Sequence, residues 1–188
     1  MLNLREMIEN YIPFNEQEIK DKEIFLKYID TFDDVLSRKN EFAHFTSSAF
    51  VLNEKKDKVL MIHHNIYKSW AWTGGHADEE EDLLGVAIRE VKEETGVNAH
   101  PITEQMFNID TIPVLGHMKN GKYVPAHIHL SAGYLCIASE DEKLIIKEDE
   151  NSGIKWVPIN NVADMTSETY MKSVYNKMIE KINTMELS

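Results

Sequence analysis

Cysteine is all but absent. The 188-residue chain holds one, Cys136, so no internal disulfide can form. Cys136 stands in an apolar run, where a thiol is ordinarily an inert core residue. Positive charge is also short: 20 Lys and Arg face 32 Asp and Glu, a net charge of −12. That excludes the basic footprint of a nucleic-acid binder. No apolar run approaches the ~20 residues of a membrane span, and the mixed apolar and charged start does not read as a signal peptide. A cytoplasmic protein with no nucleic-acid or membrane partner is expected. Repeats, low-complexity segments and an interdomain linker are missing too. At 43% apolar residues the chain can bury a real core, and its length suits one domain with an appendage.

What is present is concentrated between Gly75 and Val97, GHADEEEDLLGVAIREVKEETGV. At 3.6 residues per turn, Glu90, Glu93 and Glu94 project within a wedge of roughly 100°. Leu84, Ala87, Ile88 and Val91 fall in a different wedge, roughly 100° to one side. One face of this helix is therefore apolar and an adjacent face carries three acids. Like charges at i, i+3 and i+4 cost a few tenths of a kcal/mol per pair. Hard divalent cations offset that cost, because Mg²⁺ takes oxygen ligands and is usually held by a few carboxylates plus substrate phosphates. An acidic helix face standing alone is ordinarily just solvated. This one does not stand alone. Gly74 and Gly75 turn the backbone ahead of the helix, Arg89 adjoins Glu90, and Gly96 sits where a helix C-cap favours a residue without Cβ.

The spacing Gly75, Glu81, Arg89-Glu90-Val91, Glu93-Glu94, Gly96-Val97 resembles the Nudix box at every specified position. The resemblance implies an α/β fold, a Nudix-like α/β/α sandwich with a mixed β-sheet, spanning about residues 41–185. It also implies hydrolysis of a phosphoanhydride with Mg²⁺, or Mn²⁺ in its place. The implied metal ligands are the carbonyl of Gly75 and the carboxylates of Glu90, Glu93, Glu94 and Glu150, the last from the loop before the final strand, with Glu148 as second choice there. Arg89 would orient Glu90 and offset its charge, and Glu81 would start the helix and support the loop. Glu90, Glu93 and Glu150 are the candidate general bases. Thr73 stands where many Nudix sequences carry proline, a change of local stiffness that leaves the ligands untouched. The segments PFNEQE from Pro13, HFTSSAF from His44 and AHIHLSAGYL from Ala126 further resemble a bacterial Nudix group with a helical N-terminal extension.

Residues 1–40 read as that extension, and 41–188 as the Nudix hydrolase domain. Leu4, Met7, Ile8 and Tyr11 recur at helical spacing up to Pro13. Asn15 with Glu18 suggests a capping box for a second helix, whose stripe would run Phe25, Ile29, Phe32, Leu36. The expected role is packing. Ala43 to Asn53 and Lys58 to His63 read as paired strands. Trp70 and Trp72 would share a strand face; core packing and stacking on a base are both open to them, with Trp72 the candidate for substrate. Phe107 to Met118 and Val124 to Ala138 read as strands around the hairpin signal Asn120-Gly121. His127 and His129, at i and i+2, share one face. Two imidazoles are too few for a metal site, and with no cysteine nearby zinc is not expected. They are expected either to line the substrate cleft or to play a structural role. His44, His63, His64 and His76 are expected to be structural or exposed. Ile154 to Pro158 is the last strand, Asn160 to Met165 a short helix. Thr166 or Ser167 would cap a final helix with the stripe Tyr170, Val174, Met178, Ile182, Met185.

The expected partner is a small-molecule diphosphate, a nucleoside diphosphate linked to another group. A nucleotide-binding sensor without hydrolysis, a non-nucleotide diphosphate hydrolase and a prenyl-diphosphate isomerase are the alternatives, the last requiring a reactive cysteine. Monomer and homodimer are both compatible with the sequence.

Overall fold

A computed structural model describes residues 3–119 and 121–185. In chain order the elements are α1 Leu4–Asn10, α2 Glu16–Ile29, β1 Ala43–Asn53, β2 Lys58–His64, β3 Ser69–Ala71, β4 Thr73–His76, α3 Leu83–Thr95, β5 His100–Pro101, β6 Asn108–Val114, β7 His117–Lys119, β8 Lys122–Val124, β9 His127–Ala138 and β10 Asn151–Pro158. A 3-10 turn, Ile159–Asn161, then leads into α4 Val162–Met165 and α5 Thr169–Thr184. The main sheet follows the order β10-β2-β1-β9-β5, with β3 on β2, β4 on β1 and β6 on β9. β7 and β8 form a separate hairpin, whose turn contains Gly121 at φ +75°. Asn120, the other half of that turn signal, lies outside the described residues. No helix among the described residues is long and apolar enough to cross a membrane.

By contacts the chain falls into two compact units. The first comprises Met1–Ser48, Gly74–Ala87 and Thr103–Tyr134; the second comprises Ala49–Thr73, Ile88–Ile102 and Leu135–Ser188.

In the first unit, α1 and α2 pack together and α2 packs on β6. Asn15 caps α2 by accepting from the Glu18 amide at 3.0 Å. The return bond of a capping box is replaced. The Glu18 carboxylate turns inward, accepting from the Tyr11 hydroxyl at 2.6 Å and the Phe14 amide at 2.7 Å. The full capping box belongs instead to Asn3 and Glu6 on α1. The expected stripe through Phe32 and Leu36 does not form, because α2 stops at Ile29 and Phe32 is exposed. Its buried face is Glu18, Asp21 and Phe25, so polar residues carry the docking that periodicity assigned to apolar ones. Asp21 accepts from both the amide and the hydroxyl of Thr111 on β6, at 2.9 and 2.8 Å.

In the second unit, β2 and β10 run antiparallel with Lys155 opposite Met61 and Trp156 opposite Leu60. β10 begins at Asn151, earlier than expected, and its register shifts between Asn151 and Ile154. Helix α5 buries Met171, Val174, Tyr175, Lys177, Met178 and Ile182. Tyr170 and Met185, the expected ends of its stripe, stay partly exposed. Its N-cap is Glu168, and no side chain caps it. Thr166, an expected cap, instead pairs with Ser69 at 2.9 Å, while Ser167 donates its amide to Ser69 Oγ.

Candidate functional site

Two clusters of chemistry-bearing side chains emerge, one in each unit. The carboxylate cluster starts from α3. Its buried residues are Leu83, Val86, Ala87, Val91 and Thr95 together with Glu94, which is 2% exposed. The buried face is therefore rotated from the expected Leu84, Ala87, Ile88, Val91 wedge toward the acids. Glu90 and Glu94, a turn apart, point with the apolar residues rather than beside them. Helix α3 begins at Leu83, so Glu81 precedes it in an exposed loop. Asp82 is the residue that caps it, its Oδ1 accepting from the Gly85 amide at 3.0 Å. At the other end Gly96 has φ +77°, its amide bonds Lys92 O at 2.9 Å, and Lys92 Nζ reaches Gly96 O at 2.7 Å. The C-cap expected from sequence is in place.

Burial pushes the Glu90 carboxyl above its ordinary range, and the charges of Glu93 and Glu150 push it the same way, while Lys147 and Arg89 oppose them. Arg89 lies 3.6 Å from Glu93 and 3.9 Å from Glu90. Lys147 was not anticipated. Its ammonium stands 3.1 Å from Glu150 and 3.4 Å from Glu93, drawing the loop acid and a helix acid toward one cation. Nothing in the local sequence KEDE distinguishes that lysine from a solvated one. The loop is anchored from below by Asn151, whose side chain donates to Glu94 O at 2.9 Å. The Glu150 backbone carbonyl accepts from the Asn65 amide at 2.9 Å. These oxygens form a hard, anionic donor set of the kind that suits Mg²⁺ or Mn²⁺.

The second cluster, in the first unit, is made of imidazoles. His44 on β1, His76 at the end of β4, and His127 and His129 on β9 bring one ligand atom each within 4.8 Å of one another. Burial lowers the proton affinity of His44, His76 and His129, and neighbouring positive charge lowers it further; His76 falls to about 3. His127 and His129 share a face as expected. The convergence of His44 and His76 on them depends on β1, β4 and β9 coming together, which no local spacing reveals. Gly75 sits beside His76 in β4. At Gly74 a Cβ would lie 2.5 Å from Ser48 Oγ and 2.7 Å from Ser47 O, so this strand runs hard against β1. The following loop is held at two positive-φ residues, Asp78 and Glu79. Arg38 makes a bidentate pair with Asp78, and Lys39 pairs with Glu79 at 3.2 Å.

The remaining candidates differ in burial. Trp72 is 8% exposed, lies edge-on to Tyr175 at 5.7 Å, and donates its backbone amide to the Tyr175 hydroxyl at 3.0 Å. It packs in the core. The strand breaks between β3 and β4, so Trp70 does not share its setting: it is partly exposed, with Lys155 Nζ 4.1 Å over its ring. His63 bonds Ser152 at 2.8 Å, and His64 accepts from the Ile66 amide at 3.1 Å. Cys136 is fully buried and its thiol is pushed up to about 12 by burial. That is the setting of a structural cysteine rather than the reactive thiol an isomerase would need.

An α/β fold built on the box helix, with a glycine-rich strand before it and acids clustered along it, defines a Nudix domain. The family model for the NUDIX domain matches residues 43–181, and the chain belongs to that family. Among solved structures, a NUDIX-family hydrolase from Clostridium perfringens superimposes with a TM-score of 0.53 at 21% identity, covering 74% of this chain and 97% of that one. The MutT protein from Methanosarcina mazei Go1 gives 0.55 at 17% identity, covering 78% and 99%. At these identities the likeness is one of fold, and it carries the α/β architecture with its mixed sheet. In sequence, a protein named probable DHNTP pyrophosphohydrolase from Lactococcus lactis subsp. cremoris (strain MG1363) is 35% identical over 96 residues. That match covers 50% of this chain and 55% of the relative, so the chain spans about half the relative's length.

Proposed function

We propose that the protein is a pyrophosphohydrolase that cleaves a phosphoanhydride in a compound of the form X–diphosphate–Y, with a nucleoside-like group as X. The observation that carries this is the gathering of Glu90, Glu93 and Glu150 around Lys147 and Arg89, with Glu94 turned inward on the same helix. So many carboxylates in a partly buried setting call for more positive charge than two side chains supply. Mg²⁺, with Mn²⁺ as substitute, fits this donor set. Glu90, Glu93, Glu94 and Glu150 would hold it. When bound, the metal neutralises charge on phosphoryl oxygens.

The chain's own groups do the rest. Arg89 spans Glu90 and Glu93, limiting their rotamers and reducing the repulsion between them. Lys147 keeps Glu150 facing the helix. Asn151 ties the loop to the end of α3. One of Glu90, Glu93 and Glu150 takes the proton from the attacking water. No step is assigned to the imidazoles of His127 and His129 or to Trp72, which packs against Tyr175.

The test is a substrate panel of nucleoside triphosphates, dinucleotides, nucleotide sugars and DHNTP, assayed with Mg²⁺ or Mn²⁺. DHNTP is included because a 35% identical relative bears that name. Turnover should require the metal and fall roughly a hundredfold or more in Glu90→Gln and Glu94→Gln. Absence of turnover on every member, with measurable nucleotide binding, would replace the hydrolase by a nucleotide-binding sensor.

A further inference from the structure

We infer that His44, His76, His127 and His129 form a binding site for one borderline divalent transition-metal ion, Zn²⁺ first among them, held by imidazole nitrogens alone. The four rings come from three strands and converge on one point. His44 lies 5.0 to 5.2 Å, centroid to centroid, from each of the other three rings. His127 Nε2 and His129 Nε2 are 3.1 Å apart. Zinc bonded to nitrogen at about 2.0–2.1 Å in a tetrahedron sets neighbouring ligand atoms ~3.4 Å apart. That pair is already close to this spacing, and the wider pairs, up to 4.8 Å, close by small ring rotations.

Hydrogen bonds fix the available nitrogen in two of the four rings. A carbonyl oxygen can only accept, so His44 Nδ1 donates to Asn40 O and His127 Nδ1 donates to Pro125 O, both at 2.9 Å. In a neutral ring that leaves Nε2 with a lone pair. Backbone carbonyls on the far nitrogen are the usual outer-shell support of a metal-bound histidine. His44 adds an independent observation. It is 3% exposed, and its Nε2 is buried with no hydrogen-bond partner. A buried polar atom left unsatisfied is costly and calls for an explanation. An ion at the centre of the four rings satisfies it.

The inward lone pairs of His44 and His127 are acceptors and so disfavour a phosphate or carboxylate beside those two rings. Mg²⁺ prefers oxygen, whereas imidazole suits Zn²⁺ and its neighbours. Four protein ligands fill a tetrahedral zinc and leave no open position, as in structural sites. The ion would fasten β1, β4 and β9 at one point and pin the backbone of β4 immediately after Gly75. Its role is thus to rigidify the glycine strand that precedes the box helix.

The test uses the full chain stripped with a chelator. Zn²⁺ is titrated in competition with a chromophoric chelator, and Co²⁺ is followed by its visible spectrum. With excess Mg²⁺ present to occupy the carboxylates, one equivalent should still bind, and Co²⁺ should give the intense bands of tetrahedral coordination. His127→Gln and His129→Gln, at partly exposed positions, should each weaken binding at least about tenfold. The double variant should lose the Co²⁺ bands while keeping a cooperative melt. Glu90→Gln/Glu93→Gln should bind Zn²⁺ as the wild type does. Failure of the wild type to compete with the chelator, an octahedral Co²⁺ spectrum, bands persisting in the double histidine variant, or loss of binding in the carboxylate variant would each overturn the inference.

Discussion

At the scale of single residues, the informative groups are those whose surroundings contradict their ordinary behaviour. Lys147 is one. Burial works against its charge, yet Glu150 and Glu93 outweigh that and hold its proton more firmly than usual. A lysine in this position competes with any cation for the same carboxylates. Replacing it by methionine removes one positive charge about 3 Å from two acids. Even at an effective dielectric of water, a unit charge at ~4 Å is worth about 1 kcal/mol. The Mg²⁺ concentration giving half-maximal turnover in Lys147→Met should therefore fall several-fold, and a metal titration of initial rates reads it directly. An unchanged or raised requirement would mean that Lys147 serves the substrate instead of balancing the acids. Cys136 makes the opposite case. Its thiol, pushed up to about 12 by burial, should resist a thiol reagent at pH 8 in the folded protein and react at once in denaturant.

At the scale of elements, most strands and helices were legible because their signals are local. β1 spans Ala43–Asn53 as its β-branched and aromatic run indicates, and the two N-terminal helices break at Pro13 as proline requires. What was not legible depends on partners distant in sequence. The buried face of α3 turned toward Glu90 and Glu94, although isolated carboxylates would favour solvent. Glu18 and Asp21 are buried because Tyr11, Phe14 and Thr111 supply donors that no periodicity can announce. The histidine cluster was hidden for the same reason. Helix ends are again local, and they support sharp expectations. Gly96 combines φ +77° with a would-be Cβ 3.0 Å from Ile145. Gly96→Ala should cost about 1–2 kcal/mol from the left-handed backbone alone, with Ile145 forced to shift, and urea unfolding measures it. The β2 end offers a pH test. Lys58, then Asn53, hold the Glu140 carboxyl below its ordinary value of 4.5, at 2.6 and 2.7 Å. A lowered folded value means stability that is present above pH 4.5 and lost as pH falls through the folded value. Glu140→Gln should melt below the wild type at pH 7, and the gap should close on acidification.

At the scale of the whole molecule, the N-terminal helices raise the question of whether they are an appendage or part of the folded unit. Helix α2 packs on β6, within the same compact unit as the histidine cluster. β6 pairs with β9 from Asn108 opposite Gly133 to Val114 opposite His127. The Thr111 amide is not left to solvent, because Asp21 accepts from it and from the Thr111 hydroxyl. The Tyr11 hydroxyl, whose proton goes mainly to Glu18, also lies 3.2 Å from Phe107 O. The helices thus cover a strand that would otherwise present unpaired backbone groups, a known route to association between chains. Removing residues 1–30 should strip that cover together with buried Ile8, Tyr11 and Phe25. Each large apolar side chain taken from a core costs about 2–5 kcal/mol, a large part of the 5–15 kcal/mol that holds a typical domain. The truncated chain should therefore be aggregated or lack a cooperative melt, even though the matched family region, residues 43–181, is intact. The milder Asp21→Ala should melt cooperatively at a lower temperature, since it removes the acceptor of two Thr111 hydrogen bonds, each worth about 1 kcal/mol. A truncated protein that is monomeric and melts like the full chain would instead make residues 1–30 a dispensable extension.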